Sequence, residues 1–128
     1  MISNSHIPTD EDFARADAME KKRYRGLDDV SEQIKRAFSA EGVHEIFMFY
    51  SKILGKSKLF YARIFYDTDS KMDEATTNGL NDRIRKAVYE DLVAVGRTDA
   101  TPENIECIFD SHQNVVRDCD GDYLTYLR

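Results

Sequence analysis

The chain is short of cysteine, has no tryptophan and contains no long apolar run; the first and last of these shortages each remove a class of protein. Two cysteines in 128 residues, Cys107 and Cys119, are too few for a disulfide framework. With no CxxC companion they give no metal or redox signature either, and they read as reduced, structural thiols. No stretch reaches the roughly 18 apolar residues of a transmembrane helix, so no membrane partner is expected. The opening MISNSHIPTDEDF lacks the basic-then-apolar pattern of a secretory signal, which makes the cytoplasm the expected compartment. Six scattered glycines form neither GxxxxGK nor GxGxxG, so a phosphate cradle is missing. His6, His44 and His112 lie too far apart for a local zinc motif, and neither metal nor cofactor is expected.

What is present describes one globular domain. At 128 residues, 41% hydrophobic and 33% charged, with fourteen aromatic side chains, the chain can bury a core without staples. Its net charge of −6 is unevenly spread: residues 91–128 carry eight acids against three bases, so that segment holds −5 of the total. Nucleic-acid binding draws its affinity from Lys and Arg on phosphates, and this balance argues against it. A basic protein partner suits the charge better.

Periodicity supplies the elements. TDEDFARADAMEKKRYRG (9–26) has an N-cap in Thr9, acids in its first turn, bases in its last and a stop at Gly26, so it predicts a helix with a thin apolar face. DDVSEQIKRAFSAEG (28–42) spaces Val30, Ile34, Ala37 and Phe38 as an amphipathic helix ending at Gly42. HEIFMFYSKIL (44–54) and KLFYARIFYD (58–67), joined by Gly55, Lys56 and Ser57, read as an antiparallel hairpin. In the second strand Phe60, Ala62, Ile64 and Tyr66 point one way and Tyr61, Arg63 and Phe65 the other, so one face needs a covering helix and the other can stay open.

NGLNDRIRKAVYEDLVAVG (78–96) is the strongest helix, with Leu80, Ile84, Ala87, Val88, Leu92 and Val95 on one stripe and Gly96 after its end. RTDATPEN is a loop, and IECIFD (105–110) is a strand alternating Ile105, Cys107 and Phe109 with Glu106, Ile108 and Asp110. The order implies an α+β fold: a two-layer sandwich, with helices packed on one face of a small, mainly antiparallel sheet. A single domain spans 1–128, with 1–27 a helical extension and 28–128 the core.

Four stretches invite a chemical reading. RDCDGDYLTYLR places Asp118, Asp120 and Asp122 on alternate positions, but an EF-hand needs glycine at loop position 6 and a bidentate Glu at 12. Here the glycine falls at position 4 and the twelfth position lies past Arg128, so a solvated acidic turn is the reading. Asp67 and Asp69 after an apolar strand resemble the paired aspartates of haloacid-dehalogenase phosphotransferases, where one acid attacks phosphorus and the other manages the proton. Those enzymes have doubly wound parallel sheets, whereas this strand closes a hairpin; the pair therefore breaks the strand and opens the next helical region. Asp110, Ser111 and His112 are contiguous, and adjacent residues on an extended chain diverge rather than form a triad. His112 with Cys107 or Cys119 would make a thiol and base pair without an oxyanion turn to serve it. Asp110 or Ser111 instead caps a short helix through Asn114, Val115 and Val116. No catalytic residue is assigned.

The layout of helix, aromatic hairpin EIFMFYSKILGKSKLFYARIFYD, long helix, and last strand with the tail IECIFDSHQNVVRDCDGDYLTYLR resembles small bacterial immunity proteins of polymorphic-toxin and contact-dependent growth-inhibition systems. The likeness covers about residues 28–128 and rests on layout and on the tail's FDSHxNV followed by GDY. It implies a monomeric, non-enzymatic inhibitor that binds the toxic domain of a cognate bacterial toxin, a basic nuclease in many cases. On that reading the charged contacts are Asp110, Asp118, Asp120 and Asp122, then Asp67 and Asp69, and the aromatic anchors are Tyr123, Tyr126, Tyr61 and Phe65. Two rival classes share the composition: a dimeric secretion chaperone for an unfolded effector, and a small hydrolase using Asp67 and Asp69 or Cys107 and His112.

Overall fold

The structure is a computed structural model describing residue 7 and residues 9–52 and 58–128. The expected turn Gly55, Lys56, Ser57, with Ile53 and Leu54 before it, lies outside the described residues.

Helix α1 (Asp10–Arg23) begins where Thr9 and Asp12 exchange side-chain and backbone bonds, the Asp12 N–H donating to Thr9 Oγ1 at 3.2 Å and the Thr9 N–H to Asp12 Oδ2 at 3.0 Å. No α1 residue belongs to the buried core cluster among the described residues, as its thin apolar face predicts. Helix α2 (Leu27–Phe38) does enter it, through Leu27, Val30 and Ile34, and a 3-10 turn at Ser39–Glu41 ends in Gly42. Between the two helices Gly26 holds φ +81, and a Cβ there would stand 2.7 Å from Val95 Cγ2. Gly26→Ala therefore meets both a left-handed penalty and a packed neighbour. It is expected to lower stability by about 2 kcal/mol, read as a shift in the urea midpoint without a change of slope.

Strands β1 (Val43–Tyr50) and β2 (Phe60–Tyr66) pair antiparallel, with Ile46 opposite Ile64, Met48 opposite Ala62 and Tyr50 opposite Phe60. The chain then runs through α3 (Asp69–Thr77), capped by Thr68, and α4 (Leu80–Ala94) before returning as β3 (Ile105–Ser111). That two-helix crossover delivers β3 parallel to β2, so the three-stranded sheet in the order β1-β2-β3 is mixed, with one antiparallel and one parallel pairing. The tail forms α5 (His112–Cys119) and a single turn, α6 (Tyr123–Tyr126).

One sheet face carries Ile46, Met48, Phe60, Ala62, Ile64 and Tyr66 into a core shared with Val30 and Ile34 of α2 and Leu80, Ile84, Val88 and Leu92 of α4. Apolar alternation in β2 and the stripe of α4 thus meet across the same layer, giving an α+β fold. Inside it, the Tyr66 hydroxyl donates to Asn81 Oδ1 at 2.6 Å, which satisfies two polar groups in apolar surroundings. Among the described residues no helix is long and apolar enough to cross a membrane.

Candidate functional site

The register puts Phe47 and Phe49 of β1, Tyr61, Arg63 and Phe65 of β2, and Glu106, Ile108 and Asp110 of β3 on the second face of the sheet. The C-terminal segment covers one end of it. Tyr123 lies against Phe47 and Phe65, with ring centroids 5.2 and 4.9 Å away, and Tyr126 lies 5.9 Å from Phe65. Phe65, expected on an open face, is consequently 0% exposed: it belongs to a small second core and is not an exposed anchor. At the other end Phe49 and Ile108 remain 37% and 38% exposed, with half-buried Tyr61 beside them. Arg63 stands between the two halves, its Nη2 3.9 Å from Asp110 Oδ2.

The acids divide into structural and free ones. Asp110 accepts from the Tyr126 hydroxyl at 2.6 Å, from Asn114 Nδ2 at 2.7 Å and from the Ser111 N–H at 2.8 Å, so it ties α6 to β3. Asp122 caps α6, accepting from the Leu124 and Thr125 N–H groups and from Thr125 Oγ1 at 2.7 Å. Asp69 binds the Arg117 guanidinium at 2.9 Å and the Ser111 hydroxyl at 2.5 Å. Asp118 and Asp120 are exposed and make no side-chain hydrogen bond or ion pair among the described residues. The sequence DCDGD is thereby resolved as a helix junction. Asp120 takes φ 51 and Gly121 φ 85, their N–H groups bond to the carbonyls of Val116 and Val115, and Asp122 starts the next turn.

Burial lifts both tyrosines to a pKa of about 12, and nearby carboxylates add to the lift: Glu45, Asp110 and Asp67 around Tyr123, and Asp110 and Asp118 around Tyr126. Around Tyr126 the Arg63 cation opposes these carboxylates without cancelling them.

A cluster that sequence spacing does not announce lies at the same end. The rings of His44 and His112 stack with centroids 4.0 Å apart. His44 Nδ1 is 2.9 Å from Asp67 Oδ1, and His112 Nδ1 is 2.7 Å from the Tyr123 hydroxyl. Because an ionised carboxylate only accepts, His44 Nδ1 carries the proton. The parallel placement of β3 is what brings position 112 beside position 44, and no local motif signals it.

These contacts also place the catalytic candidates. The hydroxyl of Ser111 is directed to Asp69, His112 to Tyr123, and Asp110 to Tyr126 and Asn114, so the contiguous Asp, Ser and His do not converge. Burial raises the Cys107 thiol to about 11, which keeps it protonated at neutral pH. Asp67 and Asp69 have separate partners, His44 and Arg117. Among the described residues no three His, Cys, Asp or Glu side chains gather as metal ligands. No family model, curated protein or solved structure matches the chain.

The bonds that hold the C-terminal segment make it acid-sensitive. At Asp69, hydrogen bonds from Arg117 and Ser111 hold the carboxyl below its ordinary range. Burial pushes the Asp110 carboxyl up, yet the bonds from Asn114, Tyr126 and the Ser111 N–H outweigh it and the net shift is downward. Asp122 is lowered by its bonds from Thr125. Each depressed carboxyl contributes stability that is complete above the unfolded-state pKa and disappears as pH falls through the folded-state value. Acidification below about pH 4 should therefore release α5 and α6 first. Amide exchange followed by NMR should show protection at Val115, Val116 and Tyr126 collapsing before protection in α4, and Asp110→Asn should abolish much of the difference.

Proposed function

We propose that this chain is an immunity protein, a non-enzymatic inhibitor that binds the toxic domain of a cognate bacterial toxin in the cytoplasm. One observation carries the reading: aromatic and acidic groups gather on a single face. Phe49, Tyr61 and Ile108 leave apolar surface open on the sheet face, next to Arg63 and exposed Glu106, and the carboxylates of Glu45, Asp67, Asp110 and Asp118 act on Tyr123 and Tyr126 at its other end. Tyrosine-rich apolar strips supply contact area at interfaces, and an acidic surround steers a basic partner into register. Asp118 and Asp120 are exposed without a side-chain partner among the described residues, Glu106, Asp67 and Asp122 are exposed as well, and Asp110, Asp122 and Asp69 serve by building the face. The free protein is a monomer on this reading, and a nuclease with a basic cleft is the fitting target.

The experiment is genetic and then biochemical. The C-terminal domain encoded by the gene immediately upstream should arrest growth when produced alone. Co-production of this chain should restore growth, and the two purified proteins should form a 1:1 complex with a salt-dependent association rate. An upstream product that is harmless, or a toxic one that this chain neither binds nor neutralises, refutes the proposal. An obligate dimer that binds only unfolded clients would point to a secretion chaperone instead.

A further inference from the structure

The edge of β1 distant from β2 has no strand partner among the described residues. Three bonds fix which groups it presents. The Ser51 N–H donates inward to the Leu59 carbonyl at 2.9 Å, so the odd positions of β1 turn their backbone toward β2 and the even ones turn outward. In agreement, the Ile46 N–H is taken by the Glu45 carboxylate at 3.1 Å, and the Tyr50 carbonyl by the Tyr24 hydroxyl at 3.2 Å. Between these two capped positions Met48 directs its N–H and C=O into a groove of about 430 Å³ formed by residues 45–49 and by Asp28, Ser31 and Glu32 of α2.

The walls of the groove differ. On the α2 side Asp28 and Glu32 are exposed and have no ion pair among the described residues; on the other side stand Phe47 and the exposed Phe49. A strand laid along β1 alternates its side chains between those walls. Its cations would meet Asp28 and Glu32, and its apolar residues would meet Phe47 and Phe49. A second copy of this chain fits poorly, because two β1 edges would bring these carboxylates together. Natural sheets commonly protect an open edge with charge, and here the Glu45 carboxylate does so while paired with Lys35 at 3.2 Å.

We propose that the β1 edge is a strand-addition site for an extended segment of a basic protein, in which Lys or Arg alternates with apolar residues. The inference rests on the reading above in taking the partner to be basic, and it adds the docking mode: backbone pairing at Met48 for affinity, with the acidic and aromatic walls setting sequence. Glu45 would leave the Ile46 N–H and turn to a partner cation.

The probe is the peptide acetyl-Lys-Val-Lys-Val-Lys-Val-Lys-amide, titrated into the full chain at low salt. The expected result is binding that slows exchange of the Met48 amide at least tenfold and is weakened at least tenfold by Asp28→Lys with Glu32→Lys. A version N-methylated on alternate residues should fail to bind, as should the peptide with Glu in place of Lys. An unchanged Met48 amide in the presence of excess peptide, equal binding of the N-methylated peptide, or a free protein already dimerised through this edge overturns the proposal. Growth rescue by the Asp28→Lys, Glu32→Lys variant at wild-type level, with no strand addition, sinks the edge site and leaves the immunity reading standing. Strand addition without neutralisation of the upstream product sinks that reading and leaves the edge site standing.

Discussion

Arg97→Ala is expected to lower stability by about 3–5 kcal/mol, more than any single change on the surface. Arg97 is only 4% exposed, and its guanidinium satisfies two otherwise orphaned carbonyls, donating to Arg23 O at 2.7 Å and Arg25 O at 3.0 Å. Its other edge binds both oxygens of Asp99, at 3.0 and 2.9 Å. The rings of Tyr50 and Phe60 lie 5.0 and 4.9 Å away, so the cation is desolvated where π-faces compensate it. Arg25 completes the exchange, donating to the carbonyls of Val95 and Gly96 at the end of α4. Truncating Arg97 opens a void beside the paired rings of Tyr50 and Phe60 and strips the junction between α1 and α2 of its donors. Arg97→Lys should recover only part of the loss, because one ammonium cannot reproduce a fork that spans two carbonyls and a carboxylate. Asp99→Asn should cost much less, since Asp99 is partly solvated and its lowered carboxyl reflects the Arg97 bonds more than burial. Urea midpoints of the three variants should fall in that order; a near-neutral Arg97→Ala would mean that the junction contributes little.

Arg97 also shows where sequence reading stops. The stretch RTDATPEN reads as a loop, and nothing in its pattern says that its first residue is buried under two aromatic rings from other strands. By contrast, β2 and α4 were legible because each buries a face whose period matches its backbone: alternate residues for Phe60 to Tyr66, and every third or fourth for Leu80 to Leu92. Helix α3 had no such signature. Its nine residues bury only Ala75, so it reads as a preface to the next helix, although Thr68 accepts from the Lys71 N–H as a proper N-cap. The Ser111 cap of α5 was visible in DSHQN; that Asp110 is bound to Tyr126, sixteen residues on, was not.

The same limit governs the candidate face. Sequence charge counting singled out residues 91–128, and the alternation of β2 singled out Tyr61, Arg63 and Phe65, but as separate surfaces. In the fold they are one surface, because the tail turns back over the sheet and seals Phe65 beneath Tyr123 and Tyr126. Long-range contact of this kind leaves no local period. The stacked His44 and His112 are hidden for the same reason: strand pairing, not spacing, brings them together.

Tyr123→Ala with Tyr126→Ala should unseat the C-terminal segment and cost about 3–4 kcal/mol, while Asp118→Asn with Asp120→Asn should leave stability within about 0.5 kcal/mol. The tyrosines are half-buried plates over Phe47 and Phe65, and the Tyr126 hydroxyl is the closest donor to Asp110. Removing both exposes an otherwise fully buried phenylalanine and takes a donor from a half-buried carboxylate, so two terms add. The two aspartates face solvent, and Asn tolerates the left-handed backbone that Asp120 adopts at φ 51. Extending the charge series to Asp122 would confuse the outcome, since Asp122 is the N-cap of α6 and its loss removes a structural bond along with a charge. Binding separates the two roles. Against a basic toxin domain at low salt, Asp118→Asn with Asp120→Asn should slow association about tenfold and flatten its salt dependence, with dissociation little changed. The double tyrosine variant should instead accelerate dissociation, because it dismantles the plate on which Phe49, Tyr61 and Ile108 depend for their border. Unchanged association kinetics in the asparagine pair would remove the exposed end of α5 from the recognition surface and leave the aromatic strip to carry the contact.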